Sequence, residues 1–92
     1  MGKERVLLKS EEKMSNIEAA KLMRDIAEKI EKGKVTLSRG KEEVVLDIPD
    51  RVEVEIKAEE EVGKRKTERK LEIEIEWKVG DQETSKGELK IK

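Results

Sequence analysis

The sequence predicts an α+β fold: one amphipathic helix packed on one face of a curled, mainly antiparallel sheet of about five to six strands. Two observations predict this class. Residues 71–79 alternate apolar and charged side chains, and this period of two places every apolar side chain on one face of a strand. Residues 15–33 instead repeat apolar residues every three to four positions, as an amphipathic helix does. The predicted element order is β-α-β-β-β-β-β.

The helix is predicted to start after Ser15 and to end near Lys32. Ser15 and Glu18 have the spacing of a capping box, in which each side chain accepts a hydrogen bond from the other residue's backbone N–H. Gly33 stands where a left-handed residue ends many helices. A short strand, Arg5–Lys9, is expected before the helix. The apolar stripe of the helix consists of Ala19, Leu22, Met23, Ile26, Ala27 and Ile30.

Five strands are predicted after the helix, each from apolar residues at alternate positions. Turn residues separate them at Gly40, Pro49, Gly63 and Gly80, and such short connections favour antiparallel neighbours. Residues 71–79 are expected to form the central strand. The residues that define the five strands are Val35 and Leu37; Val44, Leu46 and Ile48; Val52, Val54, Ile56 and Ala58; Leu71, Ile73, Ile75, Trp77 and Val79; and Leu89 and Ile91.

Charge pairing predicts the register of the long hairpin that joins the third and fourth of these strands. Placing Ile56 opposite Ile73 brings opposite charges together, whereas a slip by one residue in each strand opposes like charges. The favourable pairs are Lys57–Glu72 and Glu59–Lys70. The like-charged pairs that remain are Glu53–Glu76 and Glu55–Glu74.

Composition narrows the possible functions. The chain has 92 residues, room for a single domain over residues 1–92, and its formal net charge is −1. It contains neither Cys nor His, which removes disulfides, imidazole catalysis and thiolate or imidazole metal sites. The longest apolar run is Val6–Leu8, so we expect no membrane segment and no signal peptide, and a cytoplasmic location. Abundant Lys and Glu together with few Asn and Gln residues is a composition typical of proteins from thermophilic organisms. No cofactor is expected.

The segment Leu71–Trp77, Leu-Glu-Ile-Glu-Ile-Glu-Trp, resembles the strand that names the amphi-Trp domain family, a group of small prokaryotic proteins. The resemblance extends in order over nearly the whole chain. It implies no assigned activity, substrate or cofactor, so no functional residue is carried over. The other similar segments are Leu7–Ser15, Glu18–Ala20, Gly33–Leu37 and Val52–Glu55.

A basic hairpin tip is the candidate interaction site, and nucleic-acid phosphates are its candidate ligand. Glutamates 59–61 on the opposing strand offset its charge, and no aromatic residue lies nearby for base stacking. Charge pairing within the hairpin is therefore favoured over nucleic-acid binding. The basic residues are Lys64, Arg65, Lys66, Arg69 and Lys70.

Two further groups have a functional and a structural interpretation. Four glutamates on the outer face (Glu53, Glu55, Glu74 and Glu76) would suit a hard cation or an acid–base pair, but a flat solvated face favours neither. The only aromatic residue, Trp77, is either an interface anchor or a core residue, and core is favoured. The predicted core is Trp77, Ile75, Ile73, Met23, Ile26 and Ile30.

The sequence therefore predicts a small soluble, non-enzymatic domain that acts as a binding or interaction module. The alternative is a nucleic-acid-binding protein that uses residues 64–70, and an enzyme is the third hypothesis. The partner is not identified by the sequence. A monomer with a strongly curled sheet is favoured over a homodimer, because the terminal strands supply few apolar residues and their lysines protect the edge.

Overall fold

The computed structural model describes residues 2–80, so the strand predicted at Leu89 and Ile91 lies outside the described residues. The chain divides into two compact units, Met1–Asp50 and Arg51–Lys92, which are described separately below. That residues 1–92 form one domain stays a prediction.

Helix α1 spans Asn16–Lys32 and begins and ends at the predicted residues. The Ser15 hydroxyl accepts from the Glu18 backbone N–H at 3.0 Å, and the Glu18 carboxylate accepts from the Ser15 N–H at 2.9 Å. These reciprocal bonds satisfy two of the N–H groups that a helix start leaves unpaired, and they lower the pKa of Glu18. At the other end, Gly33 adopts a φ of 88° and donates to the Ile30 carbonyl at 2.9 Å. The capping prediction is confirmed.

Strands β1 (Lys34–Arg39) and β2 (Glu42–Asp47) form an antiparallel hairpin directly after the helix. Its two-residue loop starts at Gly40, whose φ of 61° is the conformation that a glycine-first hairpin turn requires. Helix α1 contacts β1, and Val35 of that strand is buried, with 7% of its surface exposed. The core of this unit therefore lies between α1 and β1.

Strands β3 (Glu53–Val62) and β4 (Thr67–Glu76) form the second, longer hairpin. Its loop is closed by a hydrogen bond from the Gly63 N–H to the Lys66 carbonyl at 2.8 Å. Ile56 lies opposite Ile73, as the charge pattern predicts, and all four predicted charge pairs occur in the ladder. The predicted register is confirmed.

The prediction of a single curled sheet of five to six strands is wrong for the described residues. They form four strands in two separate two-stranded sheets, β1–β2 and β3–β4, although the α+β class is correct. The β1–β2 ladder continues for one bond past β2, since the Ile48 N–H donates to the Gly33 carbonyl at 2.9 Å, and the next residue, Pro49, has no N–H to donate. The chain therefore leaves the ladder before β3 begins.

Two strand predictions also need correction. Arg5–Lys9 is not a strand, since its three apolar residues are consecutive rather than alternating and no described strand pairs with them. Instead, the Arg39 guanidinium donates to the Lys9 carbonyl at 2.6 Å. The segment predicted as the central strand ends at Glu76, so Trp77 follows β4, and β4 pairs only with β3 among the described strands.

Candidate interaction surface on the β3–β4 hairpin

The β3–β4 hairpin has two chemically different faces because its residues alternate between them. One face carries seven aliphatic side chains. Six of them, called here the aliphatic face, form three directly opposed pairs in the ladder, and the seventh, Val62, lies opposite Thr67 nearer the tip. Opposed aliphatic side chains pack against each other across the strands. The pairs are Val54–Ile75, Ile56–Ile73 and Ala58–Leu71.

The aliphatic face is largely open to solvent. Val54 and Ile73 are 55% exposed, Ile56 is 68% exposed and Leu71 is 69% exposed. Isolated exposed aliphatic residues are ordinary, but a contiguous row of them is typical of a binding surface. Alternation predicted which residues share this face, and the exposure of the face is new information from the structure.

The opposite face, called here the acidic face, carries eight glutamates and two lysines. At its centre the two lysines alternate with two glutamates in a four-membered ionic ring: Lys57 lies 3.7 Å from Glu59 and 3.5 Å from Glu72, measured from ammonium nitrogen to carboxylate oxygen. Lys70 lies 3.5 Å from Glu59 and 3.8 Å from Glu72. The carboxylate of Glu59, and then that of Glu72, raises the pKa of Lys57.

Toward the open end of the hairpin, the acidic face has no cation in its ladder. Glu53 lies opposite Glu76, and Glu55 opposite Glu74. A side-chain hydrogen bond with Glu74, and then the charge of Glu74, raises the pKa of Glu55. A neighbouring like charge disfavours the ionised carboxylate, so Glu55 holds its proton more tightly than an isolated glutamate does. All four carboxylates are exposed, as the sequence indicates.

No group of acidic side chains among residues 2–80 is arranged to hold a metal ion. The carboxylates of the acidic face lie on a solvated sheet surface.

The five predicted basic residues lie at and beside the hairpin tip, where three of them form ion pairs. The Arg69 guanidinium donates to Glu60 at 2.7 Å, and Lys66 lies 3.3 Å from Glu68. Lys70 belongs to the ionic ring. Among the described residues, no ion pair involves Lys64 or Arg65.

The Glu60–Arg69 pair lies on the same side of the hairpin as the aliphatic face and limits that face toward the tip. Sequence reasoning did not identify this pair. The register already contained the signal, since counting outward from Ile56–Ile73 brings Glu60 opposite Arg69 and Glu61 opposite Glu68. The Arg69 side chain is 84% exposed and can therefore be reached by a partner.

The six predicted core residues fall in both units. Ile26 and Ile30 on α1, and Ile75 and Trp77 on the hairpin, are partly buried. Met23 is 48% exposed, and Ile73 belongs to the open aliphatic face. The packing of Trp77 against Met23, Ile26 and Ile30 stays a prediction. Trp77 and Val52 line one surface hollow at the open end of the hairpin.

The helix-plus-hairpin architecture with one tryptophan at the end of an amphipathic strand defines a class of small α+β protein. The family model of the Amphi-Trp domain matches residues 1–92, so the chain belongs to the Amphi-Trp domain family. Comparison with curated proteins gave no match. Comparison with solved structures gave none either. In the described part of the chain, no helix has both the length and the apolar character needed to cross a membrane.

Proposed function

We propose that this protein is a non-enzymatic protein–protein interaction module and that the aliphatic face of the β3–β4 hairpin is its binding surface. The observation that carries the proposal is the exposure of four large aliphatic side chains in one contiguous row. The occupant is a protein surface that is itself apolar, because the aliphatic face offers no side-chain donor or acceptor of its own.

Burial of this row supplies a driving force of useful size. Full burial of an exposed Val, Leu or Ile side chain is worth about 1.5–3 kcal/mol. Four side chains that are each 55–69% exposed would therefore contribute roughly 5 kcal/mol, before the entropy cost of association. A partner that also contacts Trp77 and Arg69 would add the two residue types most common in binding hot spots.

Nucleic-acid binding by the basic tip is the second candidate, and its remaining support is the lack of an ion pair at Lys64 and Arg65 within the described residues. Ion pairs occupy the other three cations, and the adjoining acidic face carries eight glutamates against two lysines. The excess of negative charge on the acidic face repels phosphate groups. The protein-binding proposal is therefore preferred, and we expect no salt-dependent retention on a DNA column.

The non-enzymatic part of the proposal rests on the nature of the exposed side chains. The titratable groups of β3 and β4 are solvated, whereas catalytic acids and bases need desolvation or a fixed partner to reach a working pKa. Glu55 and Lys57, whose pKa values are raised by their neighbours, are both exposed.

Site-specific photo-crosslinking in the cell tests the proposal. A photoreactive residue is placed at position 56 on the aliphatic face or, as a matched control, at position 55 on the acidic face. We expect discrete protein adducts from position 56 and a much lower yield from position 55, because only the first lies on the binding surface. Equal yields from the two positions, or no adduct from position 56, would refute the proposed function.

A further inference from the structure

We draw no further inference here: the strongest candidate, the aliphatic face of the β3–β4 hairpin, belongs to the site already described, and nothing in the structure shows which partner covers it.

Discussion

Replacing Val35 with alanine should destabilise the first unit far more than the same change at Val45. The two valines lie on adjacent strands, β1 and β2, but Val35 is 7% exposed and Val45 is 50% exposed. Val35 pairs with Leu46, whereas Val45 pairs with Thr36, so the two side chains lie on opposite faces of the hairpin. The pair of variants therefore isolates burial while it keeps the residue type constant.

The magnitude follows from the methyl groups that each change removes. Val→Ala deletes two methyl groups, and each is worth about 0.8 kcal/mol when it is removed from water. At Val35 both are buried and a cavity remains, so the free energy of unfolding should fall by about 2–3 kcal/mol. At Val45 the side chain is already half exposed and no cavity forms. The free energy of unfolding should therefore fall by only about 0.5–1 kcal/mol.

Urea unfolding followed by far-UV circular dichroism measures both losses, because α1 dominates that signal and lies in the same unit. Unchanged m-values would confirm that each variant alters stability rather than the unfolded state. Equal losses at the two positions, or a larger loss for Val45→Ala, would refute the assignment of the core to the space between α1 and β1.

Two other predictions concern hydrogen bonds and charge. Ser15→Ala should lower the free energy of unfolding by about 1 kcal/mol in the same urea assay, since it removes the oxygen that caps α1, and a loss below about 0.3 kcal/mol would contradict the capping box. Glu74 raises the pKa of Glu55, so Glu55 binds its proton more tightly in the folded hairpin than in the unfolded chain. This difference stabilises the fold at a pH below the ordinary carboxyl range, and the contribution is lost as the pH rises through the raised pKa. Glu74→Gln should therefore reduce the rise in melting temperature on acidification, as followed by Trp77 fluorescence, and an unchanged pH profile would show that the pair is not coupled.

The sequence predicts local structure well where residues close together in the chain determine it. The capping box and Gly33 determine the limits of α1, and the hairpin register follows because one slip opposes like charges. The glutamate pairs on the acidic face follow from the same register. For the register, alternation and the two pairs of opposite charge, Lys57–Glu72 and Glu59–Lys70, favour the same arrangement, and these two pairs outweigh the glutamate pairs.

The arrangement of the strands into sheets could not be predicted in the same way. Alternation identifies which residues share a face, but it does not identify what covers that face. The single-sheet prediction assumed that the turn at Pro49 brings β2 and β3 into one ladder. In the described residues β2 pairs only with β1, and β3 pairs only with β4. The same limitation applies to the aliphatic face, because the alternation of apolar and charged residues does not indicate how much of that face is exposed to solvent.

Paramagnetic broadening of methyl signals by a soluble gadolinium chelate tests the exposure of the aliphatic face most directly. The methyl groups of Ile56 and Ile73 should broaden much more than those of Val35, because Ile56 is 68% exposed and Ile73 is 55% exposed, whereas Val35 is 7% exposed. Equal broadening at the three residues would contradict the account.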